Sequence, residues 1–171
     1  LLAEVISLEK DMATIQVYEE TEGLKISEEI ISTGSPLSLT LGPGMIGNVF
    51  DGIQRPLEDI KKISGDFIGE GIGLMSLDRE KLWEVKILIK EGDYVEEGQF
   101  YAEIQETNLI IHRLMVPKGI SGKIKIAKES GSYRLEDVVA IIDTFGEDYN
   151  LKLYQVLPVR EPRPVRERMA I

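Results

Sequence analysis

The residues of this sequence that could carry chemistry are few, and their spacing decides what each could do. Gly65–Gly73 (GDFIGEGIG) is glycine-rich. Such a loop cradles phosphate on its amides when it reads G-x-x-x-x-G-K-[ST], because the lysine then reaches the phosphates and the hydroxyl meets magnesium. No Lys-Ser or Lys-Thr follows a glycine there, and the nearest partial match, Gly119-Ile120-Ser121-Gly122-Lys123-Ile124, lacks both the spacing and the hydroxyl. Both stretches read as loops, and no nucleotide-binding residue is assigned. The pairs Glu19-Glu20, Glu28-Glu29 and Glu96-Glu97 would suit acid–base work if two carboxylates converged. Neighbours in a strand point to opposite faces, so these glutamates are expected to be solvated instead. His112 lies in an apolar run with Leu109, Ile110, Ile111, Leu114 and Met115. It reads as a structural or surface group, since a general base needs a nucleophile and an orienting partner that its spacing does not offer. Zero cysteines and one histidine remove thiol nucleophiles, disulfides, thiolate zinc sites and multi-His metal sites. No catalytic residue and no metal ligand is assigned.

The bulk composition, 43% hydrophobic and 29% charged, is that of a globular chain long enough to bury a core without covalent staples. A formal charge of −10 disfavours nucleic acid as a partner, because a general grip on phosphates needs the opposite sign. No apolar run of about 18 residues exists, so no direct membrane insertion is expected. The chain opens on Leu1 and Leu2 rather than methionine and runs straight into a strand-like segment, which is the expectation for a piece of something longer.

The elements that must position these groups are strands. Ala3–Leu8 and Met12–Tyr18 alternate apolar with polar or small residues around a turn at Glu9-Lys10-Asp11. Further strands are predicted over Glu29–Thr33 and Pro36–Leu41, broken at Gly42-Pro43-Gly44 and resumed over Met45–Phe50. Asp51-Gly52 marks a turn, and Arg55–Ile60 reads as one or two helical turns with Pro56 at the first position. Beyond the glycine-rich stretch, strands are predicted over Trp83–Ile89, Phe100–Gln105, Leu109–Val116, Gly122–Ala127 and Asp137–Ile142. Lys86–Ile89 with Gly92-Asp93-Tyr94 resembles Lys123–Ile126 with Gly131-Ser132-Tyr133. Two such halves can close a small sandwich in which each covers the other's apolar face. Leu151–Ile171 carries a local charge of +3 against −13 for the preceding 150 residues, with Pro158, Pro162 and Pro164 fixing an extended path. Its arginines, Arg160, Arg163, Arg166 and Arg168, suit pairing with acidic surfaces.

The fold class is therefore all-β. A partial N-terminal β-barrel is expected over residues 1–63, a sandwich over 64–150, and an extended Pro/Arg-rich segment over 151–171, with one short helix.

Gly92-Asp93-x-Val95-x-x-Gly98 followed by Ala102-Glu103-Ile104 resembles the strand-turn-strand run of the biotinyl and lipoyl carrier family. The resemblance implies a barrel-sandwich-hybrid fold. Laying Glu106-Thr107-Asn108 on the lipoyl pattern puts Leu109 where that family's cofactor-bearing lysine belongs, so the fold is expected without the carrier function.

Three blocks together are similar to the catalytic A subunit of vacuolar and archaeal type rotary ATPases. They are MATIQVYEET with Gly23-Leu24, then Pro36-Leu37-Ser38 through LGPG to NVFDGIQRPL at residues 48–57, and Tyr154-Gln155 to PVREPRP at residues 158–164. The resemblance implies a subunit that makes or hydrolyses ATP in a hexameric ring coupled to proton or sodium movement. It implies B subunits and stalk subunits as partners, ATP and magnesium for the full subunit, and a cytoplasmic position peripheral to the membrane. The central sandwich corresponds to that family's bulge insertion. The family's P-loop is expected beyond residue 171 and its first barrel strands before residue 1, so none of its catalytic residues is carried over. The chain itself is expected to hold no cofactor and to contribute assembly and stalk contacts. Gly42, Pro43, Gly44, Asp51 and Gly52 are expected to shape turns, and Arg55, Pro56, Arg160 and Arg163 are candidates for subunit contacts. The other reading left open is a β-sandwich interaction module in its own right.

Overall fold

The computed structural model describes residues 1–66 and 73–162. Most of the glycine-rich stretch and Arg163, with the rest of the Pro/Arg segment, lie outside the described residues. Among the described residues twelve strands and one helix follow in order: β1 Ala3–Glu9, β2 Met12–Val17, β3 Ser38–Leu41, α1 Leu57–Ser64, β4 Trp83–Ile87, β5 Tyr94–Val95, β6 Phe100–Gln105, β7 Ile111–Met115, β8 Gly122–Ala127, β9 Gly131–Tyr133, β10 Ala140–Asp143, β11 Asp148–Leu151 and β12 Gln155–Pro158. The chain divides into two compact units. One comprises Leu1–Leu39, Asn48–Ser76 and Pro158–Arg160, the other Thr40–Gly47, Leu77–Leu157 and Glu161 onward.

In the first unit β1 and β2 form an antiparallel hairpin, with a register shift between Val5 and Ser7. Lys10 turns it in the left-handed region at φ 54°. The pairs Ala3↔Val17, Val5↔Ile15 and Leu8↔Ala13 set apolar side chains on one face, since facing residues of a hairpin share a side. β3 and β12, which fall wholly in neither unit, make a two-stranded sheet, and among the described residues no closed barrel forms. Two predicted strands are absent. Glu29–Thr33 and Met45–Phe50 are irregular apart from a single bridge between Phe50 and Pro56, because alternation becomes a strand only where a neighbour offers a ladder. The helix is longer than its sequence signal, and Pro56 is its N-cap with extended ψ 119° rather than its first helical residue. Glu58 and Asp59 in the first turn and Lys61 and Lys62 in the last complement the helix dipole.

The second unit is a sandwich of two four-stranded sheets, ordered β7-β6-β4-β9 and β11-β10-β8-β5. The repeat seen in the sequence is real but its halves do not each make a sheet. β4 pairs with β9 (Trp83↔Tyr133, Val85↔Gly131), and β8 pairs with β5 (Tyr94↔Lys123, Val95↔Gly122). Each half lends its short strand to the other's sheet, and the inner faces pool Val85, Val95, Tyr101, Ile104, Ile124 and Ile142 into one core. The G-D-x-V-x-x-G run explains the exchange. Gly92 at φ 91° and Gly98 at φ 77° turn the chain where L-residues are strained. The Gly92 N–H donates to Ile124 O at 2.8 Å, and Ile124 N–H donates to Asp93 O at 2.7 Å. Val95 between them is fully buried.

Candidate functional site

The turn residues of the second unit form a built feature rather than a set of loose loops. Gly42 and Pro43 are buried, and a Cβ on Gly42 would sit 3.0 Å from Tyr154 Cβ and 3.1 Å from both Leu153 O and Leu77 Cδ1. Gly44, at φ 101°, donates its N–H to Glu106 Oε1 at 2.7 Å, and Ile46 N–H donates to the same oxygen at 3.1 Å. The second carboxylate oxygen of Glu106 lies 3.2 Å from His112 Nδ1. The Glu106 side chain is only 2% exposed. Backbone amides and an imidazole thus satisfy a buried carboxylate, the condition on which burial of such a group is tolerable. His112 has the orienting partner its sequence spacing withheld, because the hairpin of β6 and β7 folds residues six apart onto each other. The arrangement pins the Gly42–Gly47 segment to the hairpin base.

The hairpin tip beyond it follows the carrier-like pattern without its chemistry. Thr107 Oγ1 accepts the N–H groups of Leu109 at 3.3 Å and Ile110 at 3.1 Å, and Leu109 stands 94% exposed. No amine is offered there for an amide linkage. Elsewhere in this unit Glu136 is a hub: Lys152 Nζ at 2.8 Å and Tyr154 Oη at 3.1 Å donate to Oε2, and Arg79 pairs with Oε1. The bond from Lys152, aided by Tyr154 and Arg79 against the pull of burial, holds the Glu136 carboxyl below its ordinary range. The Tyr101 hydroxyl donates to Lys152 O, and burial raises its pKa.

In the first unit Asp51 closes the turn that enters the helix. Its Oδ1 accepts the N–H of Arg55 at 2.8 Å and of Ile53 at 3.1 Å, and its Oδ2 meets Arg55 Nε at 2.7 Å. Burial pushes Asp51 up, but the Arg55 N–H, the Arg55 guanidinium and the Ile53 N–H together outweigh it and leave the carboxyl below its usual value. Gly52 lies in the same turn with open space around it. Arg55 also reaches Glu19 Oε2 at 3.2 Å, the two side chains being 12% and 7% exposed. Glu19 additionally accepts Leu2 N–H at 2.7 Å. The expectation that Glu19 is solvated is corrected: a guanidinium and a backbone donor hold it inside.

Arg160 makes a two-pronged contact with Glu4, Nε to Oε1 and Nη2 to Oε2, each at 2.9 Å. Tyr18 Oη donates to Glu4 Oε2 at 2.5 Å. Bonding to Arg160 first and Tyr18 second lowers the Glu4 pKa from 4.5 to about 2. The arginine stood out in the sequence, but its partner did not, because 156 residues separate them. Among the described residues there is no group of three or more His, Cys, Asp or Glu side chains that could hold a metal ion, and no helix is long and apolar enough to cross a membrane.

Comparison with known proteins matches residues 74–160 to the model of the ATP synthase alpha/beta subunit barrel-sandwich domain, and residues 1–34 to that of the ATP synthase alpha/beta family, beta-barrel domain. Over all of its 171 residues the chain is 57% identical to V-type ATP synthase alpha chain 2 of Clostridium tetani. It is 48% identical to V-type ATP synthase alpha chain of Halothermothrix orenii over 172 aligned residues and 100% of its length. Identity to the A subunit of the A-type ATP synthase of Methanopyrus kandleri is 47% over 170 residues, or 99% of the chain. The chain spans 29% of the length of each of these relatives.

Proposed function

Because the chain belongs to the ATP synthase alpha/beta subunit barrel-sandwich family, we propose that it is the N-terminal portion of the catalytic A subunit of a V/A-type rotary ATP synthase. The observation that carries the reading is alignment along the whole chain at 57% identity with a V-type ATP synthase alpha chain. In this reading the full subunit binds ATP and magnesium and works on the cytoplasmic side, peripheral to a membrane. It couples ATP synthesis or hydrolysis to proton or sodium transport. These 171 residues contain no G-x-x-x-x-G-K-[ST] run, and phosphoryl transfer without a phosphate cradle has nothing to stabilise its developing charge. Their part is assembly: residues 1–63 contribute to a barrel, residues 64–150 form a bulge that docks a stalk subunit, and residues 151–171 lead onward. Arg55, Pro56, Arg160 and Arg163 lie in segments that would meet neighbouring subunits. Of these, Arg55 and Arg160 are also tied to carboxylates of their own unit.

Two measurements test this. Calorimetry on the 171-residue chain is expected to show no ATP binding with magnesium present; tight magnesium-dependent binding overturns the division of roles. In the full-length subunit, replacing residues 74–150 by a short linker is expected to lower recovery of stalk subunits with the purified complex. Unchanged stalk content overturns the docking role of the sandwich.

A further inference from the structure

The turn between β10 and β11 breaks a local rule without gaining anything inside the molecule. Its first central residue is Phe145, in the left-handed region at φ 63°, followed by Gly146 at φ 156°. Bulky residues avoid that region because Cβ crowds the following carbonyl, and hairpin turns needing positive φ ordinarily take Asn, Asp or Gly. Three other non-glycine residues among those described have positive φ, Lys10, Ser27 and Gln54, and all are polar. Phe145 is aromatic and 87% exposed, so core packing does not offset its strain. The turn is nonetheless well made. Thr144 N–H and Oγ1 donate to Glu147 O at 3.1 and 2.6 Å, and Phe145 N–H donates to Asp143 Oδ1 at 3.1 Å. A strained, exposed aromatic held on a rigid turn is the signature of a residue kept for something outside the fold.

We propose that Phe145 is an anchor that inserts into an apolar pocket, rimmed by Lys or Arg, on another subunit of the complex. This rests on the reading of the sandwich as a docking module and names its contact point. The rim chemistry follows from the neighbours of Phe145: Asp143, Glu147 and Asp148 flank it in sequence, Asp143 stands opposite Lys123 in the sheet register, Asp148 is paired to Lys125 at 2.8 Å, and among the described residues Glu147 has no ion pair, which leaves the turn one negative charge in excess. An exposed aromatic on a turn with a net excess of carboxylate suits a basic pocket by charge complementarity. It is repelled by anionic lipid headgroups and by a second copy of the same tip. Leu109, at the corresponding tip between β6 and β7, is also exposed, but its φ is not positive and Asn108 and Thr107 beside it are neutral, so strain and charge together select Phe145.

The experiment places p-benzoyl-phenylalanine at position 145 of the full-length subunit, co-expressed with the other subunits, and irradiates the purified complex. An adduct with one other subunit, mapping to a peptide with Lys or Arg beside the linked site, is expected. Phe145→Gly is expected to raise the Tm of the 171-residue chain by about 2 °C by relieving strain, while weakening retention of that subunit about tenfold. A merely structural residue would move both in the same direction. No adduct at 145, with the subunit retained as before in Phe145→Gly, overturns the anchor. If replacing residues 74–150 still removes the stalk subunit, the docking role stands without the anchor; if it does not, the docking role falls as well. Loss, in Phe145→Gly, of binding to phosphatidylcholine–phosphatidylserine vesicles would overturn the proposal in favour of a lipid contact.

Discussion

The two units use similar sequence patterns and end with opposite surfaces. In the second, every inward position of β4, β6, β8 and β10 finds a facing sheet, and the buried apolar side chains form one cluster from Leu77 to Leu153. In the first, Pro56 and Ile60 are the buried apolar side chains among the described residues. Val5, Leu8, Met12, Ile26, Ile30 and Ile31 are all more than half exposed. The difference is one of closure. A hairpin has an apolar face and nothing of its own to put against it, whereas two four-stranded sheets that exchange strands bury each other's faces. The first unit holds tied charges instead: the Asp51–Arg55–Glu19 group and the Glu4–Arg160 pair.

If closure is the difference, damage should be large in the second unit and small in the first. The largest effect is expected from Gly122→Ala. A Cβ there would lie 2.0 Å from Asp143 O, a backbone atom of the neighbouring strand that cannot step aside. Loss of cooperative unfolding is expected, followed by the fluorescence of Trp83, the single tryptophan, which sits in that core at 6% exposure. A native-like transition in this variant would show that the sheets are not tightly registered.

Next comes a paired truncation. Ile142→Ala, at a fully buried site, should cost about 2–5 kcal/mol in urea denaturation. Ile30→Ala, at 75% exposure, should change stability by less than about 0.5 kcal/mol. Comparable losses at both sites would mean that the first unit is closed after all.

The smallest effect concerns pH. Glu4 is held at about 2 against an ordinary 4.5, so the folded state binds its proton more weakly than the unfolded one. Its contribution is complete above about pH 4.5 and disappears as pH falls towards about 2. The pair is largely solvent-facing at Arg160, 72% exposed, so the gain is small. Glu4→Gln should flatten the tyrosine fluorescence of the chain between those limits, through Tyr18, while leaving the Trp83 signal unmoved. An unaltered tyrosine profile would remove the pair from what orders the first unit.

Much of this was legible in the residues. β6 and β8 have the bounds that alternation assigns them, and the turn glycines Gly92 and Gly98 are where positive φ is required. The family was legible from FDGIQRPL and the proline-arginine run, long strings whose agreement is specific. Other features were hidden for definite reasons. β5 and β9 are two and three residues long, too short for any period to show, and exist because each finds a ladder in the opposite half. Glu29–Thr33 has the composition of a strand and no ladder partner among the described residues, so it is not one there. Glu106 entered the sequence reading only as part of a carrier-like hairpin, because nothing in its neighbourhood announces that the amides of Gly44 and Ile46, some 60 residues away, will close over it.

Side-chain periodicity, turn chemistry and the absence of a G-x-x-x-x-G-K-[ST] run were properties of the chain read in one dimension, and the first two gave the all-β class. They are local because alternation and positive φ are properties of a few consecutive residues. Which half supplies a strand to which sheet, which carboxylates go inside, and that Phe145 is both strained and exposed were decided only by the fold, because each depends on groups that three-dimensional closure alone brings within reach of one another.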